Sequence, residues 1–151
     1  MENIEEYYNL IESALLDLGV DPESCREEKQ EGSWTISSGN VYLLLDCWAD
    51  TEENIVVFQV LSPLFEIPED MSAEFYNEIL ELNFTINGTS FSKLNNTLVL
   101  KSIQDLELTE KTAITAMINR VGFYADKYGS TLSMKYFGVN ISEDTDNPTQ
   151  E

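Results

Sequence analysis

An α+β chain is predicted, in the order helix, three strands, helix, two strands, helix, with an antiparallel sheet carrying its helices mainly on one face. Three features predict it. Apolar residues recur at helical spacing in three separated stretches. Between those stretches lie short alternating runs rich in β-branched and aromatic residues. The strand runs are joined by short polar turns, and such connections favour antiparallel neighbours.

The first helix rests on Ile4, Tyr8, Ile11, Leu15 and Leu18, which line one face at 3.6 residues per turn. Glu2, Glu5 and Glu6 sit where carboxylates suit the positive end of the helix dipole. Gly19 and Asp21-Pro22 stop it. Residues 20–32 are polar and acidic and read as a connecting loop or irregular segment. Ser33 to Ser38 then makes a short strand, and Gly39-Asn40 turns it into a second strand from Val41 to Ala49. A polar turn leads to the third, Ile55 to Leu61. Pro63 and Pro68 bracket an extended linker.

The second helix is capped by Asp70 or Ser72 and carried by Phe75, Ile79, Leu82 and Ile86. Its end is open between an extended Phe84-Thr85-Ile86 and a stop at Asn87-Gly88. Thr89 to Leu94 and Thr97 to Ile103 form a second hairpin across Asn95-Asn96. Thr109 caps the last helix, whose face is Ile114, Ile118, Val121, Ala125 and Tyr128. That helix ends at Gly129 or runs on through Leu132, Tyr136 and Phe137. Residues 1–137 are expected to form one domain, and 138–151 an acidic, mobile tail.

Charge narrows the partners. The chain of 151 residues holds 28 Asp plus Glu against 8 Lys plus Arg, a formal net charge of -20. Residues 1–82 hold 20 of the acids and 2 of the bases. Such a polyanion repels phosphate backbones and anionic lipid, so neither nucleic acid nor membrane is an expected partner. The acidic opening segment has the wrong chemistry for a signal peptide, so a cytoplasmic location is expected. Cys25 and Cys47 are then expected as free thiols, and the sequons at Asn83, Asn87, Asn95 and Asn140 as chance matches.

The search for chemistry returns little. The sequence has no His, which removes His-based triads and Cys/His zinc sites together. Its glycines are scattered singly, so no phosphate-cradling loop is present. Asp144 and Asp146 lack the turn Gly and terminal Glu of a calcium loop. No catalytic residue, cofactor or metal is therefore assigned. An enzyme using carboxylates alone stays a remote alternative. Asp46 is the one acid within a strongly apolar run, Leu43-Leu44-Leu45-Asp46-Cys47-Trp48. It reads as an outward-facing strand residue or as a buried or interfacial carboxylate awaiting a basic group.

The informative pattern lies in the second and third strands. One side of the second carries Val41, Leu43, Leu45 and Cys47, and the other Tyr42, Leu44, Asp46 and Trp48. The third has Val56, Phe58 and Val60 against Ile55, Val57, Gln59 and Leu61. A sheet with one wet face should alternate apolar and polar residues, and here both sides are apolar. Burying such side chains is worth roughly 1.5–3 kcal/mol each before entropy costs. Either a helix of the same chain covers the second face, or Tyr42, Leu44, Trp48, Ile55, Val57 and Leu61 form a surface for self-association or for another protein.

Several local patterns resemble the YbjN family and the type III secretion chaperones of the Tir-chaperone kind. They are the opening helix ending in Leu18-Gly19, the Trp34 strand and hairpin, and the second helix running into Leu80-Glu81-Leu82-Asn83. Phe91 through Leu100, and Leu108-Thr109 opening a helix with Ala125-Asp126 near its end, complete them. The resemblance covers about residues 3–137. It implies a non-catalytic domain of the predicted element order. It implies either a regulator of sensory transduction or an acidic homodimer that holds an effector segment in extended form. The expected partner is another protein, and a homodimer without a separate client is the alternative. The acidic 20–32 segment and the polar tail depart from a typical secretion chaperone.

Overall fold

The computed structural model describes residues 3–139, so the predicted acidic tail, with Asp144 and Asp146, lies almost wholly outside the described residues. Helix α1 (Ile4–Asp17) opens the chain, and the short α2 (Pro22–Cys25) follows. Strands β1 (Ser33–Ser38), β2 (Val41–Asp50) and β3 (Ile55–Glu66) come next, then α3 (Ala73–Thr85). Strands β4 (Ser90–Leu94) and β5 (Thr97–Asp105) lead through a 3-10 turn at Leu106–Leu108 to α4 (Lys111–Phe137). The strands form one sheet in the order β1-β2-β3-β5-β4, with every neighbouring pair antiparallel. The predicted class and element order stand.

The packing follows the strand period. Leu45 of β2 lies opposite Val60 of β3, and Cys47 opposite Phe58. With Leu98 and Leu100 of β5 these form the inner face of the sheet, and all are buried. Ile114, Ile118, Val121 and Ala125 of α4 cover that face, and α1 adds Ile11 and Leu15. Both helices therefore lie on the same side.

Three local departures have physical causes, and two open readings are decided. Residues 20–32 are not wholly irregular. Asp21 accepts from the Glu23 amide, and Pro22 at the first helical position presets φ, so one turn of helix forms. Strand β3 runs through Pro63 to Glu66, where a linker is expected. A register irregularity between Pro63 and Phe65 accommodates the residue that lacks an amide hydrogen. Thr109 does not cap α4, because its hydroxyl donates to the Asp105 carbonyl and ends the 3-10 turn; Glu110 occupies the cap. Helix α4 takes the longer of its two open readings. Gly129 packs beside Leu64, and Tyr136 stacks edge-on to Phe75 with ring centroids 5.1 Å apart. The helix ends instead at Gly138, whose φ of 66° is the left-handed cap that glycine adopts without penalty. Ser72, not Asp70, caps α3 by accepting from the Phe75 amide.

Candidate protein-binding face

Among the described residues no helix packs on the outer face of the sheet, and strand alternation sets what that face displays. Along β2 it presents Tyr42, Leu44, Asp46 and Trp48, because Leu43, Leu45 and Cys47 point into the core. Register extends the row across the sheet. Leu44 lies opposite Leu61, Asp46 opposite Gln59, and Trp48 opposite Val57. On β5, Lys101 faces Leu61 and Ile103 faces Gln59. Tyr42 is 54% exposed, Leu44 36%, Trp48 37% and Ile103 50%.

The six residues singled out from sequence share this face but differ in what they offer. Tyr42, Leu44 and Trp48 are exposed, and Ile55 and Leu61 are half-buried. Val57 is 6% exposed and stands outside the main core, flanked by Trp48 and Asp105 in the register. It supports the face from beneath and gives a partner little to touch. Ile103 is the member that sequence reasoning missed. Its signal was present in the alternation of β5, where Ile103 is out of phase with Leu98 and Leu100.

A groove of about 540 Å³ borders the face at β1. Leu44, Asp46 and Trp48 make its floor, and Glu27, Lys29 and Gln30 its far wall. The wall is held in place by specific bonds. The Arg26 guanidinium grips the Glu12 carboxylate with contacts of 2.5 and 2.6 Å, and Trp34 Nε1 donates to the same carboxylate at 3.1 Å. Those donors hold the Glu12 carboxyl below its ordinary range, Arg26 first, against the opposing effect of partial burial. The Glu27 amide donates to the Ser33 carbonyl, and the Thr35 hydroxyl donates to the Glu27 carboxylate. Gly32 closes the loop at φ 79°. A Cβ there would sit 2.7 Å from both the Cys47 carbonyl and the Tyr8 hydroxyl, so only glycine allows this approach.

Asp46 sits at the centre of the face. The Ser33 hydroxyl donates to its carboxylate at 2.6 Å. Among the described residues, no Lys or Arg forms an ion pair with it. Cys47 next to it points the other way, and burial pushes its thiol up to about 12, so it is held protonated and inert. Both cysteines are free. Among the described residues no group of three or more His, Cys, Asp or Glu could hold a metal ion, and no helix is long and apolar enough to cross a membrane.

A second apolar feature was not legible as a site in the sequence. Tyr76, Leu80 and Phe84 recur every four residues on the solvent side of α3, at 37%, 68% and 92% exposure. The core face of α3 is carried by Phe75 and Ile79. Sequence reading took Phe75, Ile79, Leu82 and Ile86 as the apolar face and left this stripe unassigned.

No model of a known protein family matches the chain, and no curated protein matches it in sequence. The resemblance to YbjN therefore rests on sequence pattern. Solved structures do match. A chain of the heterodimeric complex ExoU–SpcU, from the type III secretion system of Pseudomonas aeruginosa, aligns with a TM-score of 0.59 at 11% identity, covering 78% of this chain and 93% of that one. A chain of the HopA1–SchA chaperone–effector complex gives 0.59 at 11% identity, with 82% and 92% covered. One of the ExoT–SpcS complex from Pseudomonas aeruginosa gives 0.56 at 14% identity, with 84% and 98% covered. Over most of its length the chain thus has the fold found in type III secretion chaperone complexes.

Proposed function

We propose that the chain is a non-catalytic, cytoplasmic protein-binding module that holds a segment of another protein against the outer face of its sheet. One observation carries this reading: Tyr42, Leu44 and Trp48 stand exposed together on a face that no helix among the described residues covers. An open patch with two aromatic rings is the composition of an interaction surface. The likeness to chains from chaperone–effector complexes supports the reading, as do the acidic charge and the absence of His. Residues 1–137 act as the binding domain.

The test is the triple variant Tyr42→Ser, Leu44→Ser, Trp48→Ser. It is expected to keep the native far-ultraviolet spectrum and a cooperative melt, since these side chains are peripheral to the core. Partners recovered with the wild-type chain from its native lysate are expected to be lost. Retention of the same partners by the folded variant would contradict the reading.

The α3 stripe favours a second reading, a homodimer without a separate client. Among the described residues Phe84, at 92%, is the most exposed large apolar side chain, and a second copy would shelter it. Light scattering separates the two: a dimer dissociated by Leu80→Glu supports the second reading, and a monomer at all concentrations removes it.

A further inference from the structure

Within the face proposed above, Asp46 specifies more than apolarity. It lies between Leu44 and Trp48 on the same side of β2, two residues from each. Alternate residues of a strand are about 6–7 Å apart. The face therefore presents an apolar group, a carboxylate and an aromatic ring in a line. Asp46 accepts one bond, from Ser33, and has acceptor sites to spare. Glu27 stands on the opposite wall of the same groove, and among the described residues Lys29 is the one cation lining it. The wider field agrees, since residues 1–82 carry 20 acids against 2 bases.

We infer that the occupant of this face is an extended, cationic segment of another protein, with an arginine or lysine placed between two apolar side chains at alternate positions. The cation meets Asp46, its methylene stem lies against Trp48, and the flanking apolar groups cover Leu44 and the Trp48 ring. Arginine fits best, because its planar fork can bond the carboxylate while stacking on an indole. A neutral apolar segment would bury the Asp46 carboxylate with the Ser33 hydroxyl but no countercharge, which is costly. An acidic segment would be repelled. The inference rests on the docking-face reading and adds the charge and spacing of the ligand.

Three fluorescein-labelled peptides of 11 residues test it. Each alternates serine with an opposite row of Leu-Leu-X-Leu-Leu, where X is Arg, Gln or Glu. Anisotropy titrations with the full chain are expected to show the Arg peptide binding about tenfold tighter than the Gln peptide, and the Glu peptide weakest. Asp46→Asn is expected to bring the Arg peptide down to the Gln level. Asn can still accept from Ser33, so the fold is kept. Asp46→Lys is expected to reverse the order of the Arg and Glu peptides. Glu69→Gln removes the same charge at an exposed position between β3 and α3 and is expected to change nothing. Equal effects of Glu69→Gln and Asp46→Asn would reduce the preference to net charge and overturn the inference. Equal binding of all three peptides, abolished by Trp48→Ser, would overturn the cation requirement while leaving the docking face intact. Binding by none of them, or binding insensitive to Trp48→Ser, would overturn both.

Discussion

Glu12 shows how a single side chain shapes the groove. It anchors Arg26 and Trp34, and so fixes where the acidic loop enters β1. Its carboxyl is held below the ordinary range by those donors. A carboxylate with a depressed folded value stabilises the native state above the unfolded value, about 4.3, and loses that contribution as pH falls through the folded one. Glu78 is also held low, chiefly by the Tyr136 hydroxyl and then by Lys135, so it titrates in the same acidic window. Glu12→Gln is therefore expected to melt at a lower temperature at pH 7. The gap to wild type should narrow as pH falls below about 4.3, because only the wild type loses its charged clasp there. Calorimetry at pH 7 and pH 3.5 checks this, and a gap that widens in acid would contradict it. At this level sequence reading identified Asp46 as the acid in an apolar run. It could not find Ser33 as its donor or Glu12 as the anchor, since those pairings join residues 13 to 22 positions apart.

Among the elements, β4 is the most exposed to error. It is an edge strand, with β5 as its only neighbouring strand among the described residues. Free edges invite pairing with other chains. Here Asn83 of α3 blocks the edge. Its carbonyl oxygen accepts from the Phe91 amide at 2.6 Å, and its amide donates to the Phe91 carbonyl at 3.2 Å. One side chain thus stands in for a neighbouring strand. Asn83→Ala is expected to cost about 1–3 kcal/mol through the lost pair of bonds. It should also promote association that grows with concentration. Denaturant melts and light scattering read the two effects, and a monodisperse variant of wild-type stability would contradict the account. The sequence shows Asn83 as the start of a chance sequon and as the end of the Leu80-Glu81-Leu82-Asn83 run that carries part of the resemblance; its structural use depends on how α3 folds back on β4. The hairpin turns were legible because Gly39 and Asn95 carry the positive φ that such turns require. The passage of β3 through Pro63 was not, because a proline normally ends a strand and only the bulge makes it tolerable.

Across the whole molecule, the arrangement is lopsided. Helices α1 and α4 shelter one face of the sheet, and among the described residues no helix covers the other. Sequence alternation showed that both faces of β2 and β3 are apolar but could not say which one the helices take. That choice is settled by which side accommodates the apolar stripes of α1 and α4 together. The core side holds Phe58, Leu45 and Leu100, each fully buried. Phe58→Ala is expected to destabilise by about 3–5 kcal/mol, whereas Trp48→Ser should cost well under half as much while reducing partner binding by 2 kcal/mol or more. Chemical denaturation of the two variants shows whether the two faces have these separate roles.

The openness of the outer face is tested most directly by a photo-crosslinking amino acid placed at Tyr42, with a second chain carrying it at Glu107 as control, both irradiated in the native cell. A discrete adduct to another polypeptide from position 42, and none from 107, is the predicted result. No adduct from position 42, or the same adducts from both positions, would contradict the claim that this face is where the chain meets its partner.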